Sequence, residues 1–415
     1  MTNPIPPLAA DDPIDLLTPE ACSLAPQYFD RIRELDPVAW SERHKSWIIT
    51  GHHELDEAFR DRRLSTERMG AFRSRLPERR AAALSAAIDL LEGWMLFHEP
   101  PTHTRLRAPL KRSFTPKAVG SMTELVAKLV DDQLDVMAAD AAENGGITDA
   151  VESFAHPLPA AVIAELFGVP VDERGWLPGW SDKFGLVVFG AVGRDDYEEA
   201  AREAGEELGS AIGDLMDRYR SEPEENLLSL LLQREDQDDG LTTAEILGAC
   251  SLLLFAGHDT TSSLTGSAIL SLLAHPEQAE LLRDGGVAVE PAVEELLRMD
   301  APAKAMIRTV AETHERGGHE LVEGDSVFMG IIGANRDPEV FDDPAVLQLD
   351  RSPNPHLTFG YGHHFCLGAA LARLEIRSAI PAMLRRFPDM EVVGETTWKA
   401  SISDRSAASM PLRLA

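Results

Sequence analysis

The sequence predicts a mainly α-helical fold with a few small β-sheets. One long helix is expected over residues 242–274, and its length of roughly 45–50 Å would let it cross the whole molecule. The apolar runs that suggest strands are short and flank turns. Hydrophobic residues make up 44% of the 415, enough for a large core. Since no linker interrupts the chain, we expect one folding unit over residues 1–415.

The remaining elements are predicted in chain order. A helix is expected near residues 26–35, and a hairpin is expected on either side of the polar turn 42–46. Residues 64–80 are basic and irregular, and we expect them to include a mobile loop. Further helices are predicted over residues 53–60, 81–92, 118–145 and 147–168. Strand pairs are predicted around the turn 323–325 and between residues 390–393 and 410–413, and Pro381 is predicted to kink the helix after Cys366.

The chain is strongly acidic, with a net charge of −30. Such a surface repels nucleic acid and anionic membranes, so neither is an expected partner. No apolar run reaches the roughly 18 residues that a membrane span requires, and the first residues lack the pattern of a signal peptide. The three cysteines are too few for a disulfide framework. They favour a reducing cytoplasm as the location.

A glycine-punctuated loop delivers one cysteine to the predicted start of a helix. It reads Phe-Gly-Tyr-Gly-His-His-Phe-Cys-Leu-Gly from Phe359 to Gly368. Glycines let the backbone turn tightly and approach a flat partner, and amides at a helix start stabilise a thiolate at Cys366. This arrangement suits an axial ligand of haem iron. Two alternatives remain open: a buried structural cysteine, and a zinc site that uses His363, His364 and Cys366.

A histidine and an arginine are the second candidate feature. His103 and Arg107 lie four residues apart, just after the helix-starting prolines Pro100 and Pro101. This spacing places both side chains on one face of a helix, where together they can bind a carboxylate. The alternative is an ordinary exposed pair on a surface helix.

Polar residues interrupt the long apolar helix at its centre. Thr242 and Glu245 form a capping box at its start, and residues 246–256 are apolar nearly all round, so the helix should be buried. Asp259 and Thr260 follow a glycine. Polar groups deep in a buried helix are costly unless they are paired or used, so we interpret the acid and the hydroxyl as functional. The alternative is a threonine that bonds back to the carbonyl four residues earlier.

Together these stretches resemble the cytochrome P450 family of haem-thiolate monooxygenases. The matching patterns are Phe-Gly-x-Gly-x-His-x-Cys-x-Gly, Pro-Pro-x-His-x-x-x-Arg, Ala-Gly-x-Asp-Thr-Thr and Glu-x-x-Arg, in the family's order over about residues 20–415. The resemblance implies the family's fold, a haem b cofactor, and Cys366 as the ligand of its iron. The cofactor-binding residues it implies are His103, Arg107, Arg308, His356, Phe359, His364, Cys366 and Gly368, with His356 facing a propionate. The implied structural network is Glu295, Arg298 and Arg351.

The same resemblance implies a monooxygenase that inserts one oxygen atom from O2 into a C–H bond of a hydrophobic small molecule. Asp259 would pass protons toward the reacting oxygen, and Thr260 would steady it. Electrons would come from a ferredoxin and its ferredoxin reductase. Dealkylation, N-oxidation and C–C coupling remain open as alternative reactions. A non-catalytic haem sensor or binding protein remains open as an alternative function.

Two further sets of residues bear on the substrate and the electron donor. The segments expected to contribute to the pocket are residues 91–97, 180–189, 252–256, 301–306 and 401–403, and residues 176–192 form either a lid or ordinary packing. Lys304 is the charged exception, and we expect it to be exposed, with attraction of a substrate carboxylate as the alternative. Basic residues on the helices after His103 and after Cys366 predict a docking site for an acidic ferredoxin. They are Arg105, Arg107, Lys111, Arg112, Lys117, Arg373, Arg377, Arg385 and Arg386.

Overall fold

Helices account for most of the secondary structure. The computed structural model describes residues 14–176, 180, 184–185, 188, 197–235, 237 and 240–414. Short helical turns lie at Met95–Phe97, Val151–Ala155, Val171–Trp176 and Gly362–His364. The α-helices are α1 (Pro19–Ser23), α2 (Ala25–Leu35), α3 (His52–Arg60), α4 (Met69–Arg75), α5 (Glu78–Ala83), α6 (Ser85–Glu92), α7 (Thr102–Leu110), α8 (Pro116–Gly120), α9 (Thr123–Glu143), α10 (Pro157–Phe167), α11 (Tyr197–Ser221), α12 (Leu227–Leu232), α13 (Thr243–Ala274), α14 (Pro276–Arg283), α15 (Val289–Met299), α16 (Ile331–Ala334) and α17 (Ala369–Arg386).

The strands form small sheets. They are β1 (Val38–Ser41), β2 (Ser46–Ile49), β3 (Leu64–Ser65), β4 (Ile147–Asp149), β5 (Met306–Val310), β6 (His314–Arg316), β7 (His319–Leu321), β8 (Ser326–Met329), β9 (Glu391–Val392), β10 (Thr397–Trp398), β11 (Ala407–Ser409) and β12 (Pro411–Arg413). A five-stranded sheet has the order β1-β2-β8-β5-β3, in which only the β2–β8 pairing is parallel. A three-stranded sheet has the order β4-β12-β9, and β6–β7 and β10–β11 are separate pairs.

Helix α13 is the long central helix that the sequence predicts. Its start is capped as expected, since the Thr242 hydroxyl accepts from the Glu245 amide at 3.2 Å and the Glu245 carboxylate accepts from the Thr242 amide at 2.9 Å. Most of its residues are buried, and it packs against α6, α10, α11 and α17. Its 32 residues give a length of roughly 48 Å. This one helix therefore contacts elements from both halves of the chain.

Three stretches of secondary structure differ from the prediction. The helix predicted over residues 147–168 is not helical at its start, because residues 147–149 form β4 and pair with β12. Residues 64–80 are not irregular, because they contain β3, α4 and part of α5, and the apolar side chains of Met69 and Phe72 pack on the main core. Strands β7 and β8 do not pair with each other across the turn 323–325. Instead β7 pairs with β6, and β8 lies between β2 and β5, where distant segments satisfy its backbone.

The other predicted elements have clear counterparts. The hairpin is β1–β2, and the last strand pair is β9–β12. Helix α17 continues through Pro381 to Arg386. Of the segment 176–192, only the turn residue Trp176 and residues 180, 184–185 and 188 are described, so the proposed lid lies mostly outside the described residues. Across the described part of the chain, no helix combines the length and apolar content needed to cross a bilayer.

Candidate active site

The cysteine loop is a tight turn braced against α3. Gly360 and Gly362 have φ angles of +64° and +72°, which favour glycine. A Cβ on either glycine would come within 3.2 Å of Phe59, so the loop also needs small residues there. The Cys366 amide donates to the Phe359 carbonyl at 2.9 Å, closing the loop. Cys366 is thereby held three residues before the start of α17.

Opposing influences act on the Cys366 thiol. Burial raises the pKa of Cys366, while the amide of Gly368, the charges of Arg107 and Arg373 and the amide of Ala369 act to lower it. A sulfur with two backbone donors and nearby guanidinium groups is prepared to carry negative charge. The predicted alternative of a zinc site is not assembled around this sulfur: among the described residues the candidate metal group is Glu99, His363 and His364, without Cys366.

A buried histidine from α7 meets the same loop. His103 is 2% exposed, and neither of its ring nitrogens has a hydrogen-bond partner among the described residues. Its ring centroid lies 4.5 Å from that of His364 and 5.2 Å from that of His363. Burial, with the charges of His363 and Arg107, lowers the pKa of His103 to about 4. An anion beside these rings would supply the missing hydrogen-bond partner.

Two arginines, one buried and one half-buried, add positive charge next to these histidines. Arg308 on β5 is 5% exposed and donates to the Ile307 carbonyl at 3.1 Å. Arg68 reaches the same carbonyl at 3.4 Å and stacks over Phe97 at 4.7 Å. Within the described part of the chain neither forms an ion pair, and burial lowers the pKa of each to about 10. Buried guanidinium groups without carboxylates call for an anionic ligand.

Arg107 links α7 to the cysteine loop. Its guanidinium donates to the Phe365 carbonyl at 2.6 Å, directly beside Cys366. The carboxylate nearest the histidines is Glu99, whose Oε2 lies 2.8 Å from His363 Nε2 and whose Oε1 lies 3.9 Å from His364 Nε2. The cluster therefore contains more cationic and N–H groups than its one carboxylate can satisfy.

The predicted structural network is present behind the loop. Glu295 and Arg298 on α15 are fully buried, and Arg298 donates two hydrogen bonds of 2.8 Å to the Glu295 carboxylate. Arg351 Nε lies 3.1 Å from both oxygens of the same carboxylate. The remaining Arg351 donors bond to carbonyls of residues 342–346. This network ties α15 to the segment that leads into the cysteine loop.

The centre of α13 carries the predicted acid and hydroxyl. Asp259 is 7% exposed, and Thr260 is half-buried. The Thr260 hydroxyl donates to the Ala256 carbonyl at 2.8 Å, which is the back-bonding arrangement that the sequence left open. Its oxygen still has lone pairs that can accept from another group.

Comparisons with known proteins agree with this geometry. A family model described as Cytochrome P450 matches residues 194–284 and 288–405. The polyketide biosynthesis cytochrome P450 PksS of Bacillus subtilis strain 168 is 33% identical over 394 residues, covering 92% of this chain and 94% of PksS. The chain belongs to the cytochrome P450 family. The cytochrome P450 monooxygenase PikC of Streptomyces venezuelae is 35% identical, with 93% of this chain and 90% of PikC covered.

The P450 fold is also evident in solved structures. The structure of P450BioI in complex with hexadec-9Z-enoic acid ligated acyl carrier protein matches with a TM-score of 0.86 and 29% identity. The match covers 95% of this chain and 100% of that one. The mainly helical fold with small sheets is thus confirmed. As a P450, the protein is a monooxygenase with a haem b cofactor.

The residues of this P450 fit haem b. The Cys366 sulfur would face the iron, and a Cβ at Gly368 would meet no protein atom within 4 Å, which leaves room for a flat group. The two propionates would fill the anion-accepting cluster formed by His103, Arg107, Arg308 and His364. Phe359 lies beneath the Arg373 guanidinium at 4.4 Å, where it stiffens the loop. Those contacts to the cofactor remain predictions.

The contacts of His356 do not support its predicted role. Its Nε2 lies 3.1 Å from Glu294 Oε2, its Nδ1 accepts from the Thr358 amide, and its side chain is 4% exposed. Both ring nitrogens are therefore engaged by the protein itself. Arg373 also donates to Glu294, at 2.6 and 2.7 Å. We correct the assignment of His356 from a propionate ligand to a bridge between α15 and the loop.

One cationic group near the cysteine loop was not predicted from the sequence, and a second cation is buried where exposure was predicted. Arg68 lies after β3 in a stretch that matches no sequence motif. Its role as a candidate follows only from its proximity to Arg308 in the fold. Lys304 is 0% exposed rather than exposed, because its ammonium group donates to the Ser401 carbonyl. A lysine among small apolar residues, as in Ala-Pro-Ala-Lys-Ala-Met, was the available signal for burial.

Proposed function

We propose that this P450 inserts one oxygen atom from O2 into a C–H bond of a hydrophobic small molecule, with electrons from a ferredoxin and its reductase. Bound haem supplies the activation of O2. The observation that carries the proposal is the pairing of a loop cysteine with a buried cluster of cations that lacks sufficient carboxylates. Product formed under 18O2 should contain one labelled atom per turnover; product labelled only from H2 18O would contradict the proposal.

The apolar side of the site supports a hydrophobic substrate. Trp94, Phe97, Trp180, Phe184 and Phe255 form one aromatic cluster with centroid separations of 5.3 to 6.3 Å. Phe255 lies one turn before Asp259 on α13, so the cluster borders the acid–hydroxyl pair. A substrate that reached this buried cluster would be recognised by burial of apolar groups rather than by hydrogen bonds. The similar P450BioI was solved in complex with an acyl carrier protein ligated to hexadec-9Z-enoic acid, and the apolar acyl chain is consistent with this class.

A ligand screen tests the substrate class. Hydrophobic compounds that enter the pocket should displace water from the iron and shift the haem absorption spectrum. Small polar compounds of matched size should not produce the shift. A panel in which only polar compounds give the shift would refute the hydrophobic class.

In this proposal Asp259 supplies protons, and the Thr260 hydroxyl steadies the reacting oxygen that receives them. The Thr260→Ala variant should keep haem and substrate binding but divert electrons from product to hydrogen peroxide. Thr265→Ala is the matched control, because Thr265 makes the same back-bond, to the Thr261 carbonyl at 2.8 Å. Equal product yield per electron in both variants would contradict the role of Thr260.

The electron donor is proposed from charge. On this strongly acidic protein, Lys111, Arg112 and Arg377 are exposed and form no ion pair within the described part of the chain. Arg373 and Arg386, predicted for the same surface, are instead paired with Glu294 and Asp135. We define Lys111, Arg112 and Arg377 as the docking patch. Unpaired cations just after α7 and on α17, the two helices that meet the cysteine loop, would steer an acidic ferredoxin toward this side of the protein.

Charge reversal tests the docking patch. Changing Lys111, Arg112 and Arg377 together to Glu should slow ferredoxin-driven reduction most at low salt, where charges are least screened. Reversal of Arg43, Lys45 and Arg202 changes the net charge equally and serves as the control. Reduction by dithionite should be the same in both. Equal ferredoxin-driven rates in both triple variants at low salt would exclude the patch.

We also propose that residues 1–415 form one domain in the cytoplasm. The main hydrophobic cluster extends from Met69 to Leu412, which supports a single folding unit. Cys22, Cys250 and Cys366 are free thiols, which supports a reducing compartment. Limited proteolysis that releases two stable, separately folded fragments would contradict the single domain.

A further inference from the structure

The helix that carries Asp259 and Thr260 has back-bonding hydroxyl groups at its centre, and such groups slightly destabilise a helix. Four hydroxyl groups in succession donate to carbonyls four residues earlier, each at 2.8 or 2.9 Å. These pairs are Thr260 to Ala256, Ser262 to His258, Ser263 to Asp259, and Thr265 to Thr261. Back-bonding of this kind competes with the backbone ladder and bends helices. The geometry of this stretch therefore depends on contacts outside α13.

One such contact lies immediately before the acid. His258 is 4% exposed, and its Nε2 lies 3.1 Å from the backbone carbonyl of His156, the residue just before α10. At the preceding position, a Cβ on Gly257 would come within 3.0 Å of Ile163 on α10. Residues 257 and 258 thus hold α13 against α10 by close approach and by one hydrogen bond.

The hydrogen bond also defines the histidine tautomer. A carbonyl oxygen only accepts, so His258 Nε2 carries the hydrogen and donates it. Successive residues on a helix are rotated by about 100° and advanced by about 1.5 Å. A change in the position of residue 258 therefore moves the side chains of Asp259 and Thr260 directly.

We propose that His258 is a positioning residue for oxygen activation, which anchors the centre of α13 to α10 and so places Asp259 and Thr260. The inference rests on the proposed roles of those two residues. Productive turnover consumes O2, two electrons and two protons, and yields product and water. When the acid and hydroxyl are misplaced, the same electrons and protons leave as hydrogen peroxide.

Three variants of the holoenzyme test the anchor. His258→Phe removes the N–H but keeps a ring, and His258→Gln restores an N–H donor at a similar reach. His156→Ala removes the partner's ring but keeps the carbonyl that accepts the bond. We expect His258→Phe to lower product per electron at least about threefold, because small displacements of catalytic groups are costly. His258→Gln should recover most of the loss, and His156→Ala should match wild type.

The readouts separate positioning from a general loss of structure. Haem content, the carbonyl absorption band and the spectral dissociation constant for substrate should stay within about twofold of wild type in all three variants. If His258→Phe does not incorporate haem, the shorter His258→Asn, whose amide cannot reach the carbonyl, takes its place in the comparison with His258→Gln.

Specific results would overturn the inference. Wild-type product yield in the His258 variant that lacks the bond would show that the anchor is not needed. An equal loss in His258→Gln would show that the N–H is not what matters, and a loss in His156→Ala would assign the effect to the His156 ring. Thr260→Ala is measured in the same experiment. If Thr260→Ala and the His258 variants all keep the wild-type product yield, the proposed role of Thr260 in oxygen activation fails. If only Thr260→Ala loses product yield, the proposed role of His258 is refuted and the proposed function stands.

Discussion

Replacing Glu295 by glutamine should strongly destabilise this P450. Five N–H groups donate to the Glu295 oxygens: two of Arg298, the Arg351 Nε–H that is shared between both oxygens, one of Asn354 and the Gln348 amide. With glutamate, the two arginines and one carboxylate leave a net buried charge of +1. With glutamine this charge becomes +2, and an NH2 group faces guanidinium donors. Removing one partner of a buried ion pair costs about 3–5 kcal/mol, so we expect Glu295→Gln to lower the free energy of unfolding by about that amount.

Glu294→Gln is the matched control for this experiment. It makes the same change in charge one residue earlier on α15, but the Glu294 side chain is 32% exposed and bonds to Arg373 and His356. Solvent screening limits its expected cost to about 1 kcal/mol. Urea unfolding at 25 °C, followed by far-UV circular dichroism at equal haem content, measures both. Equal unfolding midpoints for the two variants would refute the account of the buried network.

Two further predictions concern pH and cofactor retention. Although burial raises it, hydrogen bonds from Arg373 and His356 hold the pKa of Glu294 at about 2, below its ordinary 4.5. The contribution of Glu294 to stability is therefore present above about pH 4.5 and is lost as the pH falls toward 2. The difference in unfolding free energy between wild type and Glu294→Gln should be constant from pH 8 to 5 and should shrink below pH 5. A difference that grows on acidification would contradict this sign. Arg68→Leu should speed transfer of haem to apomyoglobin roughly 10–100-fold, the equivalent of one charge-assisted hydrogen bond of about 1.5–3 kcal/mol. Arg79→Leu, at an exposed position on α5, should not change the transfer rate. Equal transfer rates in the two variants would remove Arg68 from the cofactor site.

Features encoded locally were predictable from the sequence. The capping box at Thr242 and the apolar run that follows it fix the start and burial of α13, and both depend only on nearby residues. The cysteine loop is equally local, since Gly360 and Gly362 adopt the left-handed angles that the glycine spacing suggests. Gly368 has an ordinary φ of −80°, so the third glycine is not required by backbone conformation.

Features that depend on distant partners were not predictable. Strand β8 pairs with β2 and β5 rather than with its neighbour in sequence, because hydrogen bonding in the five-stranded sheet decides its place. A histidine at position 356 could bind either a propionate or a protein carboxylate, and the sequence does not distinguish the two. The position of α15 in the fold places Glu294 beside it. Arg68 and Lys304 were overlooked or misplaced for the same reason, since burial of a cation depends on the tertiary structure around it.

The carbonyl difference spectrum of the Cys366→Ser variant tests the central claim most directly. Thiolate ligation of the haem iron by Cys366 predicts that the variant loses the red-shifted carbonyl absorption band typical of cytochromes P450. Cys22→Ser and Cys250→Ser, which replace the other two thiols, should keep the band unchanged. A Cys366→Ser protein that binds haem and retains the band would show that another residue ligates the iron, contradicting the assignment on which the active site rests.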